Sequence, residues 1–302
     1  VARAALIVAT DRYGDSGLRR LRSPMGDAQR LARVLEDPRL GDFTVTPLLN
    51  EPSSVVRLRV QEFFRSAARD DLLLLYFSCH GIKDDSGRLF FATTDTQVKF
   101  PDATSVEASF VNEQMSRSRS SRVVLLLDCC YSGAFASGFV AKAGDSVDLK
   151  ERFEGRGRVV LTASSAMEYS FEGDAVSGSG QGSVFTRELI SGLETGAADQ
   201  NGDGMVSVDE LYDFLHDRVR EHTPNQTPGK WAFQVAGELV LARSPLPPRV
   251  RTDLLPAELV AGAAAAPVQP PPTSPPPPGA PSPRPRRTLP SRRAATIAAA
   301  AA

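Results

Sequence analysis

Cysteine is scarce in this 302-residue chain: there are three, Cys79, Cys129 and Cys130, two of them adjacent and all at the ends of apolar runs. So few thiols exclude a disulfide framework and point to a reducing compartment, the cytoplasm. Histidine is equally scarce, with His80, His216 and His222 the full set. Long hydrophobic runs are missing too. None approaches the roughly 20 residues of a membrane-spanning helix, and the N-terminus lacks the charged-then-apolar build of a signal peptide. The Ala-rich stretch after Arg292-Arg293 is too short to cross a bilayer. Net charge is only −1, so bulk charge offers nothing for nucleic acid. That charge is uneven: from Arg243 onward eight arginines face Asp253 and Glu258, which places the tail near +6 and the body near −7. What is present, 41% hydrophobic and 24% charged residues, is ordinary for a soluble globular chain.

Up to about residue 243 the chain alternates strand and helix signals. Ala4 to Ala9 is short, apolar and closed by Thr10-Asp11, as a buried strand is. Ala28, Leu31, Ala32 and Leu35 recur at helical spacing. Phe43 to Leu48 reads as a second strand, placed near an edge by Pro47. Ser53 or Ser54 is positioned to cap a helix with Val56, Val60, Phe63 and Phe64 on one face. Two further apolar strands follow, then Arg158 to Ala163. This alternation predicts an α/β fold with a mostly parallel sheet covered on both faces. Residues 133–157 and 174–182 are polar and glycine-rich, as exposed loops are. Between Pro267 and Pro290 half the positions are proline, and such a segment cannot bury enough apolar surface to fold. The expected organisation is one domain over 1–243 and a disordered Pro/Ala/Arg-rich tail over 244–302.

The two central strands carry the chemistry. Leu72-Leu73-Leu74-Leu75-Tyr76-Phe77-Ser78-Cys79-His80-Gly81 ends in a histidine and a glycine. Val123-Val124-Leu125-Leu126-Leu127-Asp128-Cys129-Cys130-Tyr131-Ser132-Gly133 ends in an acid, two cysteines and a small-residue turn. Parallel strands deliver such residues to one edge of the sheet, where a thiol and an imidazole make a nucleophile and its base. Cys130 enters the small-residue turn and is the better exposed of the adjacent pair, so it is assigned as nucleophile. Cys129 and Cys79 are assigned to packing. His80 is the one histidine at that edge, since His216 and His222 fall on a polar C-terminal helix. The backbone amides of Gly81 and Cys130 are the candidate oxyanion donors. A lone cysteine or histidine after a strand is usually a packing residue; two matched strand ends with glycine beside each reactive residue weigh against that here.

These residues resemble the caspase–metacaspase group of clan CD peptidases over roughly residues 3–243. Ser78-Cys79-His80-Gly81 is similar to the S-x-H-G block, and Asp128 to Gly133 to the D-x-C-H-S-G block, with Tyr131 in place of the usual histidine. Leu21 to Ala28 resembles the turn into the first helix, Leu161 to Glu172 the strand and loop that shape the substrate groove, and Gly182 to Leu189 the helix after it. The resemblance implies a caspase-like three-layer α/β/α sandwich and a cysteine endopeptidase acting on protein or peptide substrates. In caspases an arginine in the downstream loop and a glutamine just before the nucleophile hold a substrate aspartate. The corresponding residues here are Glu172 and Asp128, with Ser170 nearby and with Glu168 or Asp27 as substitutes for Glu172. Carboxylates pair with guanidinium or ammonium groups, so cleavage after Arg or Lys is expected. Lys142, Lys150, Arg152, Arg156 and Arg158 then offer sites for self-processing.

Asp199-Gln200-Asn201-Gly202-Asp203-Gly204-Met205-Val206-Ser207-Val208-Asp209-Glu210 matches an EF-hand loop position by position. Asp199, Asn201, Asp203, the Met205 carbonyl, Ser207 and Glu210 would be the calcium ligands. The alternative is a loop kept as a helix connector, since no second such loop accompanies it. The tail is by default a solvated spacer, or a segment that docks a partner with an aromatic groove or anionic lipid. Two competing functions remain: a catalytically silent, calcium-responsive binding module on the same fold, and an esterase, which would need a G-x-S-x-G turn or a third catalytic acid that is not evident.

Overall fold

The computed structural model describes residues 1–84, 86–129, 156–164, 183–224 and 226–249. Residues 130–155, 165–182 and 250–302, on which most of the two expected exposed loops and most of the expected tail fall, lie outside them. Eleven strands and six helices are described. In chain order they are β1 (Arg3–Ala9), α1 (Pro24–Glu36), β2 (Thr44–Leu49), α2 (Ser53–Ser66), β3 (Leu72–Ser78), β4 (Gly81–Lys83), β5 (Leu89–Phe91), α3 (Pro101–Thr104), β6 (Val106–Glu107), α4 (Ala108–Arg117) and β7 (Val123–Asp128). Then follow β8 (Arg158–Thr162), α5 (Val184–Thr195), β9 (Met205–Ser207), α6 (Val208–His222), β10 (Gly229–Phe233) and β11 (Val240–Arg243).

The main sheet has the order β10-β8-β7-β3-β1-β2. All of its pairings are parallel except β10 on β8. β3 and β7 are buried along their whole length, which explains why they read as unbroken apolar runs and why they sit at the centre. β2 is half exposed and carries Pro47, and it takes an edge.

Alternation along the strands sorts the core into two layers. Ala5, Ile7, Leu74, Tyr76, Val124 and Leu126 face one way with buried residues of α1, α5 and α6. Leu6, Val8, Leu75, Phe77, Leu125 and Leu127 face the other way with α2 and α4. The result is the expected three-layer sandwich. A one-residue register slip in β3 would exchange Tyr76 and Phe77 between the layers, so burial on both faces fixes the pairing.

Local signals place several helix ends. Pro24 opens α1, where its missing N–H costs nothing. Gly196, at φ +74°, closes α5 in the left-handed region. A reciprocal capping box between Ser207 and Glu210 starts α6. The expected Ser53/Ser54 cap is not made. Pro52 is the cap residue of α2, and the Ser53 amide and hydroxyl instead donate to Asp95 at 2.7 and 2.9 Å. Gly157, at φ +66°, is required where β8 begins: a Cβ there would lie 2.0 Å from the Ser121 carbonyl oxygen.

Two small sheets went unread in the sequence because their strands are too short to show a period: β4-β5-β6 beside His80, and β9-β11. After β11 the chain continues over the 199–210 loop, with Ser244 N–H donating to the Gly204 carbonyl (2.9 Å) and Arg249 N–H to that of Gly202 (2.7 Å). Residues 244–249, expected to begin the tail, are therefore held against the domain. No helix among the described residues is long and apolar enough to cross a membrane.

Candidate active site

Crossover connections bring the C-terminal ends of β1, β3, β7 and β8 to one edge of the sheet. His80 leaves β3 there and is 5% exposed. Its Nε2 lies 2.7 Å from the Arg19 carbonyl. A carbonyl only accepts, so Nε2 carries a hydrogen and the neutral ring keeps its lone pair on Nδ1. The Tyr13 ring packs at 4.9 Å between centroids, and the Tyr13 hydroxyl accepts the His80 amide at 3.1 Å. That hydroxyl in turn donates to the Thr10 carbonyl at 2.8 Å. Burial first, then the nearby Cys79 thiol, pushes the Tyr13 phenol well above its ordinary range, so it acts only as a neutral hydrogen-bonding group.

The loop carrying Tyr13 and Arg19 is anchored at several points. Asp11 accepts from Asn50 Nδ2 (2.7 Å) and Arg20 Nη2 (3.1 Å), while its carbonyl takes the Leu21 amide (3.1 Å). Asp15 accepts from the Gly17 and Val98 amides, both at 2.8 Å. These residues were missed in the sequence. The available signal was a polar loop leaving a buried strand at the active edge, but nothing in it marks a backbone carbonyl.

The acids form a second cluster. Asp128, the last residue of β7, is 6% exposed. Its carboxylate accepts from the hydroxyls of Thr186 (2.6 Å), Ser183 (2.9 Å) and Tyr76 (3.3 Å). Asp27, in the first turn of α1, is 1% exposed and accepts the Ser183 amide at 2.7 Å. Ser183 thus joins the two carboxylates, one through its backbone and one through its side chain. Burial raises the Asp128 carboxyl above the usual range despite its three hydroxyl donors. Burial, with the neighbouring Asp128 charge adding to it, raises Asp27 to about 6. Two buried acids with raised pKa values gain from a cation between them. Asp27, one of the acids considered as substitutes for Glu172, is placed beside Asp128. Ser183 and Thr186 lie in the stretch that resembled the groove-side helix, although no role could be read for them there.

Gly81 opens β4, buried and in register with Phe91. His216 and His222 lie on α6. Cys130, Ser170, Glu168 and Glu172 fall outside the described residues, as do Lys142, Lys150 and Arg152. Arg158 is described and stands at the start of the expected strand over Arg158 to Ala163. It is the first residue of β8, 3% exposed, with its guanidinium donating to Asn112 Oδ1 (2.6 Å) and Ser116 Oγ (2.9 Å). A peptide bond inside a central ladder is closed to cleavage, so Arg158 drops out as a processing site.

The 199–210 loop is closed on its own amides. Asp199 accepts from Gly202, Asp203 and Gly204 (2.8, 3.1 and 3.1 Å). Asn201 Oδ1 accepts from Asp203 (2.7 Å) and Asp203 from Met205 (2.8 Å). Glu210 accepts from the Asn201 amide (3.1 Å) and from the amide and hydroxyl of Ser207 (3.1 and 2.8 Å). These all-oxygen donors suit calcium in kind. Among the described residues, however, no group of three or more His, Cys, Asp or Glu stands close enough to hold a metal.

A mostly parallel sheet covered by helices on both faces, with a histidine at its C-terminal edge beside a strand leading into Cys129, is an α/β/α sandwich of caspase-like architecture. The chain belongs to the caspase-domain family of C14 peptidases, whose family model matches residues 2–238. With that membership goes a cysteine-peptidase-like function acting on protein substrates. The crystal structure of protein GSU0716 from Geobacter sulfurreducens matches with a TM-score of 0.56 at 15% identity, over 83% of this chain and 100% of that one. At that identity the likeness concerns the fold alone. No curated protein matches the chain in sequence.

Proposed function

We propose that this protein is a cysteine endopeptidase that cleaves after Arg or Lys, with Cys130 as nucleophile and His80 as base. The observation that carries the reading is the buried pair Asp27 and Asp128, joined by Ser183 at the edge His80 occupies. A substrate guanidinium or ammonium placed there would neutralise both carboxylates, whereas a substrate aspartate would add a third negative charge.

His80 Nδ1 takes the thiol proton, and the thiolate attacks the scissile carbonyl to give a tetrahedral oxyanion. The amides of Gly81 and Cys130 are the donors proposed for that oxygen. Collapse breaks the C–N bond, and the imidazolium returns its proton to the leaving amine. A water molecule, deprotonated by His80, then hydrolyses the thioester and restores the thiol. The Arg19 carbonyl holds the ring through Nε2–H in every step and stabilises its positive charge. Arg156, exposed just before β8, and the loop lysines and arginine before it are the proposed self-processing sites.

Calcium modulation is proposed on the loop's donor spacing, with Asp199, Asn201, Asp203, the Met205 carbonyl, Ser207 and Glu210 as ligands. Binding would require Glu210 to loosen its hold on Ser207. Micromolar calcium is expected to raise the melting temperature of the full chain. An unchanged melting temperature, with equal activity in chelator, would assign the loop to a connector role.

The test of the peptidase reading is release from fluorogenic peptides ending in Arg, Lys or Asp, using wild type beside Cys130→Ala and His80→Ala. Turnover of Arg and Lys peptides that both variants abolish supports it. Equal or faster turnover of Asp peptides would sink the specificity. No turnover under any condition, with or without calcium, would favour the silent binding module.

A further inference from the structure

Cys79 and Cys129 have no role in the proposed catalysis, and the sequence assigns them to packing. β3 and β7 are neighbours with Ser78 opposite Asp128, so the next step of the same register sets Cys79 opposite Cys129. Both side chains lie in the layer that packs against α2 and α4. Their sulfurs are 3.5 Å apart, within hydrogen-bond reach, and the Cys129 thiol also lies 3.6 Å from the Phe77 carbonyl, to which it can donate. Adjacent strands run about 4.8 Å apart, and a disulfide needs Cα atoms roughly 4.4–6.8 Å apart with Cβ atoms on the same side. The register, the shared layer and the 3.5 Å between the sulfurs place the pair within reach of such a bond. Two small hydrophobes chosen only to fill space would need neither the register nor the sulfur contact.

We propose that Cys79 and Cys129 form an oxidisable dithiol site, converted by a hydroperoxide to a cross-strand disulfide that ties the strand delivering His80 to the strand ending in Asp128. In the first step one thiol sulfur attacks the peroxide, the O–O bond breaks, and a sulfenic acid and one water (or alcohol) form. In the second step the other thiol attacks the sulfenic sulfur, the S–S bond forms, and the hydroxyl leaves as water with the thiol proton. The two sulfurs together lose two electrons, and the peroxide gains them.

The site is built to be slow. Cys79 is 2% exposed and Cys129 5%, and burial together with the neighbouring thiol pushes the Cys129 thiol well above its ordinary range. Attack therefore follows local opening of the sheet edge rather than a standing thiolate, unlike a reactive cysteine. The bond, once made, draws together the residue before His80 and the residue after Asp128, so oxidation is felt at both halves of the candidate site. The proposal does not depend on the peptidase reading, because its first readout is chemical.

The experiment uses the full chain carrying Cys130→Ala, which leaves Cys79 and Cys129 as the only thiols. After treatment with hydrogen peroxide, intact-mass measurement is expected to show loss of two hydrogen atoms in a monomer. Peptide mapping should show residues 79 and 129 linked, and dithiothreitol should reverse the change. The imidazole resonances of His80 are expected to shift between the reduced and oxidised forms. Addition of oxygen atoms without linkage, or no reaction under conditions that oxidise Cys130 in the wild type, would overturn the site. A disulfide that forms without moving the His80 resonances would overturn the coupling to the sheet edge. Should Cys130→Ala fold poorly, the wild type with Cys130 alkylated first gives the same mass readout, and Cys79→Ser alkylated at Cys130 in the same way must then lose it.

Discussion

His80 Nε2 and the backbone carbonyl of Arg19 are 2.7 Å apart, so the orientation of the candidate base depends on a loop rather than on another side chain. Asp11 moors that loop through Asn50, Arg20 and Leu21. Asp11→Ala is therefore expected to lower kcat on arginyl peptides by about tenfold with little change in KM, the signature of a misplaced base rather than a damaged binding pocket. His80→Ala, by contrast, is expected to lose about 10²–10⁴-fold in kcat. A rise in KM alone for Asp11→Ala would place the loop in substrate binding instead.

Ser183 links Asp27 to Asp128, so the two acids should act as one recognition unit. Asp128→Asn is expected to cost about 2–4 kcal/mol in kcat/KM for arginyl substrates, roughly 30- to 1,000-fold. Asp27→Asn should cost less, because one anion remains. Measuring kcat/KM for matched Arg, Lys and citrulline peptides checks this: the preference for charged over neutral peptides should shrink in both variants.

The same pair sets a pH limb. Asp27 titrates near 6 because burial and the Asp128 charge disfavour its anion. Below that pH it is protonated and holds a guanidinium poorly, so KM for arginyl peptides is expected to rise as pH falls from 7 to 5. Asp27→Asn should flatten this limb. Binding of a small guanidinium inhibitor near pH 6 should release protons, which calorimetry in buffers of different ionisation enthalpy would detect.

Stability runs in the opposite sense. The folded chain binds the Asp27 proton more tightly than the unfolded chain does. This contribution is therefore full below the ordinary value near 3.8 and lost as pH rises through about 6. Asp27→Asn keeps an acceptor for the Ser183 amide without the charge. It is expected to raise the melting temperature by a few degrees at pH 8 and to change it little at pH 4.5. Equal shifts at both pH values would remove the charge explanation.

Ser207 caps α6 and shares Glu210 with the candidate calcium loop. Ser207→Ala should destabilise the domain by about 1 kcal/mol, seen as a lower denaturation midpoint with an unchanged slope.

Much of this molecule is written locally. The apolar runs of β3 and β7 are fully buried because both faces of a central strand meet helices, so composition alone marks them as central. Pro47 marks an edge because it cannot donate to a ladder. His80 could be singled out because it was the one histidine beside a strand end. Short strands such as β4 and β9 carry too few residues to show a period, and the Ser53 cap failed because Asp95, 42 residues away, competes for the same hydroxyl. Arg158 opens a strand that is legible in the sequence, but only the fold buries its guanidinium against Asn112 and Ser116.

The sequence by itself determined the order of the parallel strands β1, β2, β3, β7 and β8 and of the helices α1 and α2 between them, the alternation that splits the core into two layers, and the residues those strands bring to one edge, since each follows from the side-chain period of a strand or helix. Only the tertiary structure decided that Arg19 offers its carbonyl to His80, that Ser183 joins Asp27 to Asp128 across 156 and 55 residues, and that Cys79 faces Cys129. Those contacts arise from crossover connections and strand register, which bring together residues whose separation along the chain carries no trace of their meeting.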